Sequence, residues 1–269
     1  MDNPDVFPGQ IHSSVEGGIG WIVLDNPSKL NAISIQMWSD VVAALAGFES
    51  DPAVRCVVFT GQGDKAFCVG ADVAEKDRNA AKKTDVPAEK QDSIAFNALD
   101  TIKNFPKPTL AMVKGFCLGA GMAIAIACDM RIAEAGACFG IPAARLGLPY
   151  YFGGMQRLID IVGLTNAKRI VFTADRFNTD HALRFGLIDE VASADQLLAA
   201  VQEIAGKIAA NAPLTIAAAK FAAGQAMLES TDRDVAGLVA WERTCLESQD
   251  FVEGRRAFLE KRPPVFRGV

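Results

Sequence analysis

A strand, a run of small residues and an apolar helix follow one another between Thr109 and Cys128, and this succession constrains the chain more than any other feature. Thr109–Val113 (TLAMV) reads as a buried strand. Gly115, Gly119, Ala120 and Gly121 then form a turn, and an apolar helix is expected over roughly Met122–Cys128. Small residues at a strand-to-helix turn let a ligand approach the backbone closely. The unpaired N–H groups of the helix's first turn point at such a ligand, with the helix dipole favouring negative charge. The arrangement suits stabilisation of an oxyanion.

The same pattern recurs around this stretch. Gly20–Asp25 and Arg55–Thr60 are short apolar runs that read as buried strands, and Met130–Glu134 as another. Ser34–Phe48 has helical spacing, with Ile35, Trp38, Val41, Val42, Leu45 and Phe48 on one face. Strands alternating with helices predict an α/β fold with a largely parallel sheet. From about Leu164 the remaining segments all read as helices, one of them opened by Pro213. The expected division is a core over 1–163 and a helical C-terminal part over 164–269.

Composition removes several functions. The net charge of −5 gives no reason to expect nucleic acid as a partner. No apolar run reaches membrane-spanning length. The opening MDNPDVFPGQ lacks the basic and apolar regions of a signal peptide. The six cysteines have no CxxC spacing and mostly sit among apolar residues, as reduced core packing does in a cytoplasmic protein. With only His12 and His181, neither a zinc site nor a Ser–His–Asp triad is expected, and no metal is. Ala74–Asp92 is charged and alanine-rich, reads as a solvated segment, and directly follows the small-residue stretch Val69–Asp72.

Five motifs carry a resemblance. DNPSKLNAIS (25–34), GDKAFCVGADV (63–73), GFCLGAGMAIAIACD (115–129), FGIPAARLGL (139–148) and EGRRAFLEKRPPVFRG (253–268) occur in the order found in the crotonase (enoyl-CoA hydratase/isomerase) superfamily, which the chain resembles from about residue 20 onward. The resemblance implies a spiral of ββα units followed by a helical C-terminal part that takes part in oligomerisation, as a homotrimer or a dimer of trimers. It implies an acyl-CoA thioester as substrate, with coenzyme A entering as part of that substrate and no separate cofactor. In such proteins two backbone N–H groups hold the thioester carbonyl, and the motifs put them at Ala71 and Ala120. The same correspondence assigns contacts with CoA to Lys29 and Leu30 and, in the C-terminal helix, to Phe258 and Lys261.

Two departures matter. Hydratases of this superfamily carry one glutamate in a GGGxE pattern, where this chain has Ala123, and a second in FGxPE, where it has Ala143. Those carboxylates position water and transfer its protons, which alanine cannot do. An acid used by many isomerases eight residues further on is Tyr151 here. Ala123, Ala143 and Tyr151 are therefore expected to line the substrate pocket. The segment LGLPYY locally resembles the LGxPY of methylmalonyl-CoA decarboxylases, which gives Tyr150 a catalytic or orienting role, although those enzymes have histidine where this chain has Ala71. The expectation is a lyase or isomerase acting on a CoA thioester, with decarboxylation or C–C cleavage ahead of hydration. The alternatives are a catalytically weak thioester-binding protein and a hydratase/isomerase whose acids have moved, with Asp72 and Glu75 as the candidates. A dinucleotide-binding fingerprint does not fit, because Ile124 stands where it requires glycine or alanine.

Overall fold

The computed structural model describes residues 9–72, 75 and 88–269, with backbone alone over 88–92. Most of the charged segment Ala74–Asp92 lies outside the described residues. Two sheets organise the molecule. The larger runs in the order β1 (Gln10–Glu16), β2 (Ile19–Asp25), β3 (Cys56–Gly61), β5 (Thr109–Val113), β7 (Met130–Glu134), β10 (Glu190–Ala192). The smaller runs β4 (Ala66–Cys68), β6 (Phe116–Leu118), β8 (Cys138–Gly140), β9 (Phe177–Asn178). Only β1 with β2 and β8 with β9 pair antiparallel; the other neighbours are parallel.

Both faces of the large sheet are covered, which is why its central strands are continuously apolar. Because side chains alternate across a strand, Val57 and Phe59 of β3 enter one core with Ala111 and Val113 of β5. Cys56 and Val58 enter the other with Leu110 and Met112. The first core is closed by α1 (Ile35–Ser50), α2 (Ala88–Asn104), α3 (Ala120–Ala127) and α4 (Phe152–Thr173), and α5 (Thr179–Arg184) joins it through Ala182. The second is closed by α6 (Leu197–Ala210) through Leu197, Val201 and Ala205. Ser34 caps α1 by accepting from the N–H of Met37 at 3.2 Å.

The chain repeats one unit. β3 and β4, β5 and β6, and β7 and β8 each place one strand in the large sheet and the next in the small one, before a helix returns. This is the expected spiral of ββα units. Two details differ from the sequence reading. The stretch from Gly115 to Gly121 is not one turn, because β6 is inserted in it, and α3 begins at Ala120, two residues early. Beyond residue 164 the chain also returns β9, β10 and α6 to the sheets, so only α7 (Pro213–Ala226), α8 (Val235–Glu247) and α9 (Gln249–Glu260) stand outside the two cores. These last three helices bury little: α7 and α8 have no fully buried residue and α9 has Asp250 and Ala257. Among the described residues no helix is long and apolar enough to cross a membrane.

Candidate active site

The parallel pairing of β4 with β6 carries the chain out of both strands side by side. After β4 comes Val69–Gly70–Ala71, and after β6 comes Gly119–Ala120. The two turns touch. A Cβ on Gly121 would lie 2.1 Å from the carbonyl oxygen of Cys68, so only glycine fits where the start of α3 crosses the end of β4. A Cβ on Gly70, whose φ is +128°, would lie 3.8 Å from Leu118 O and 3.9 Å from the backbone nitrogen of Ala120.

Each turn presents a free donor. Ala71 forms an isolated parallel bridge with Ile33, in which Ile33 N–H donates to Gly70 O and Asp72 N–H donates to Ile33 O, both at 2.9 Å. The bridge thus uses the residues on either side of Ala71 and turns its own N–H away. Ala120 is the first residue of α3, where an N–H has no intrahelical acceptor. Neither N–H has a hydrogen-bond acceptor among the described residues. Gly119, just before, is held by donating to Gly140 O at 3.0 Å, which ties the turn to β8 as well.

Lys29 and Leu30 come into the same neighbourhood. Asn31, 1% exposed and at φ +59°, anchors their loop: its Oδ1 accepts from Asn26 N–H at 3.0 Å, and its Nδ2 donates to Gln62 O at 3.0 Å and Ala66 O at 2.8 Å. The chain then runs into Ile33, the partner of Ala71. Lys29 forms an ion pair with the buried Asp72, next to Ala71. Glu75 is also engaged, its Oε2 accepting from Ile35 N–H at 3.0 Å at the start of α1. Both acids proposed as relocated catalysts therefore already have partners.

Ala123 lies in α3 facing the core, and Ala143 lies half-buried in the 3-10 turn Pro142–Leu146. Tyr150 and Tyr151 pack against the same core cluster, with ring centroids 5.9 Å apart. The Tyr150 hydroxyl is buried and has no hydrogen-bond partner among the described residues. Burial pushes its pKa well above the usual phenol value, so the group stays protonated and is a donor, never a base, near neutrality. Tyr151 is held from several sides by Phe96, Gly154 and Arg157, a clamp that sequence reasoning missed because Arg157 pairs with Asp100 from another helix.

Phe258 and Lys261 are not brought to this site within the chain. Phe258 is 83% exposed on α9, where it lines a groove of about 450 Å³ with Ala212, Thr215, Cys245 and Phe266; Lys261 ends the same helix in the left-handed conformation. The two histidines have surface roles, His12 beside Asp25 at 2.7 Å and His181 beside Asn178 at 2.8 Å.

The model of the family described as enoyl-CoA hydratase/isomerase matches residues 14–269. The chain is similar to a crotonyl-CoA hydratase from Syntrophomonas wolfei, 36% identical over 245 residues covering 91% of this chain and 93% of that one. It is similar to a short-chain-enoyl-CoA hydratase from Clostridium acetobutylicum, 35% identical over 250 residues covering 92% and 93%. Among solved structures it is similar to an enoyl-CoA hydratase/carnithine racemase from Magnetospirillum magneticum, with a TM-score of 0.88, 29% identity and 96% of each chain covered.

Proposed function

Because the chain belongs to the enoyl-CoA hydratase/isomerase family, whose members act on acyl-CoA thioesters, we propose that it binds such a thioester with its carbonyl oxygen between the N–H groups of Ala71 and Ala120, and cleaves a C–C bond next to that carbonyl. The observation that carries this reading is the pair of open donors in touching turns, with methyl groups at 123 and 143. Preorganised donors stabilise a developing oxyanion by roughly 3 kcal/mol each. They serve any reaction that passes through a thioester enolate. Hydration further needs a carboxylate to move water's protons, and Asp72 and Glu75 are both engaged elsewhere.

Decarboxylation needs no such base. The bond between C2 and the acyl carboxylate breaks and releases CO2. Its electron pair moves into the thioester, giving an enolate whose oxygen accepts from the two N–H groups. A proton then returns to C2, and the protonated hydroxyl of Tyr150 is the group assigned to deliver it or to orient the leaving carboxylate. A carboxylate in the pocket would instead repel this substrate. Lys29 and Leu30 grip the CoA end, and Phe258 and Lys261 complete that grip for a neighbouring subunit of a homotrimer or a dimer of trimers.

Kinship with hydratases supports a second reading, in which Asp72 leaves Lys29, or Glu75 leaves α1, to act on water. Incubation with crotonyl-, methylmalonyl- and 3-oxoacyl-CoA, with products identified by mass spectrometry, separates the two. Loss of CO2 or C–C cleavage with little hydration is expected. Robust hydration of crotonyl-CoA refutes the proposal, and absence of turnover on every thioester reduces the protein to a binder.

A further inference from the structure

Among the described residues Arg157 is the one buried cation beside the tyrosine pair, and the proposed reaction leaves it unused. Its side chain, on α4, is 7% exposed, and it forms an ion pair with Asp100 of α2, whose side chain is 63% exposed. Its Nη1 also lies 3.5 Å from the hydroxyl of Tyr151, a long donor contact. Phe96, one helical turn before Asp100 on the same face of α2, packs against the Tyr151 ring with centroids 4.4 Å apart and the rings tilted by 34°. From below, Gly154 leaves room for that ring: a Cβ there would fall 2.5 Å from its edge. Tyr151 is thereby fixed by α2 and α4 together, and Tyr150 follows as its chain neighbour and ring neighbour.

The pair is electrically lopsided. Asp100 is in water, where its charge is screened, whereas the guanidinium is enclosed with the two phenol rings. Burial and the neighbouring Tyr151 push the Tyr150 phenol up and Arg157 opposes them; at Tyr151 the same guanidinium opposes burial and Asp100. The positive end of the ion pair therefore lies on the enclosed side, with the tyrosines, and its negative end faces water.

We propose that Arg157 is a positioning residue that makes this site prefer acyl-CoA thioesters whose acyl group carries a second carboxylate, by clamping Tyr151 and holding an enclosed positive charge beside the tyrosine pair. The inference rests on the decarboxylating reading of the site, but it concerns binding and is tested without turnover. Succinyl-CoA and butyryl-CoA share a four-carbon acyl chain and differ in charge, and neither loses CO2 through a thioester enolate. Their affinities for the whole protein, measured by calorimetry, give a selectivity ratio.

The parent should prefer succinyl-CoA. Arg157→Gln should lower the ratio roughly tenfold, the scale of one unit charge acting through a partly screened interior, and Arg157→Lys should restore part of it. A purely structural role would weaken both ligands alike. Asp100→Asn leaves the guanidinium in place and should keep or raise the ratio. An unchanged ratio in Arg157→Gln, or no preference in the parent, overturns the proposal. Should Arg157→Gln fail to fold, a fall in the ratio for Asp100→Asn overturns it and a maintained or raised ratio supports it. An intact ratio without decarboxylation of methylmalonyl-CoA refutes the proposed reaction and leaves this inference standing.

Discussion

Replacing Gly121 by alanine tests whether the contact between the two turns sets the site. The added Cβ would meet the carbonyl oxygen of Cys68 at 2.1 Å and its carbonyl carbon at 2.9 Å, whereas real Cβ atoms essentially never come closer than 3.0 Å. The start of α3 and the end of β4 must therefore part by about 0.9 Å, and both are backbone inside a packed core, so neither can swing aside as a side chain would. Overpacking of this kind costs about 1–3 kcal/mol. At about 2–4 °C per kcal/mol for a domain of this size, the melting temperature should fall by roughly 2–12 °C. The larger effect is on chemistry. Ala120 moves with α3 and Ala71 with the segment after β4, so the donors separate by the same displacement, and misplacement on the order of 1 Å costs about a hundredfold in rate. Calorimetry and thioester turnover per folded molecule measure the two consequences. Gly47→Ala is the control: it sits in α1 with nothing within 4 Å of the new Cβ, and should add about 0.4–1 kcal/mol of stability without affecting turnover. A folded Gly121→Ala protein with parental turnover would refute the argument that these turns hold the reacting oxygen.

Tyr150→Phe should raise stability by up to about 1 kcal/mol, because it removes a buried hydroxyl that has no partner, while turnover falls about tenfold or more; lower stability with parental turnover would make the ring a pocket wall. Asn31→Ala should cost about 3 kcal/mol in denaturant unfolding, since it leaves Asn26 N–H and the carbonyls of Gln62 and Ala66 without their partner. The thiols of Cys56, Cys68 and Cys128 are pushed up to about 12 by burial. In the native protein at pH 8, iodoacetamide should therefore reach only the half-buried Cys138 and Cys245. The folded chain also holds these thiol protons more tightly than the unfolded chain, so stability should decline as pH rises from about 9, where unfolded thiols ionise, toward about 12; a flat profile there would contradict the burial.

What could be read in advance followed from burial on two faces. β2, β3, β5 and β7 announce themselves because helices cover the large sheet on both sides and leave runs without polar alternation. β1 could not, since nearly all of it is exposed and it has no apolar rhythm. β4, β6 and β8 are three residues each, too short for any period, yet they bring the two halves of the site together. That is why Ala71 and Ala120 are assigned through the family resemblance and not from any local period, and why the contact that brings their turns together is visible only in the fold. The supporting residues were hidden for a different reason. Asn31 is explained by Gln62 and Ala66, Lys29 by Asp72 and Arg157 by Asp100, partners that lie far along the chain and share no local pattern.

These long-range partners also decide how the alanines at 123 and 143 should be read. Alanine at a position that held an acid is compatible with a decayed enzyme. A decayed site has no reason to keep its costs, however. Here an unpartnered hydroxyl remains buried at Tyr150, a guanidinium remains enclosed at Arg157 and two backbone donors remain open. The buried hydroxyl without a partner costs roughly 1–3 kcal/mol, whereas Arg157 is paired with Asp100 and the two N–H groups belong to half-buried residues. The substitution that relieves it, Tyr150→Phe, is single-step and would be stabilising. A buried hydroxyl kept at this cost, together with two donors left open after β4 and β6, supports the proposed acyl-CoA enzyme over a passive binder.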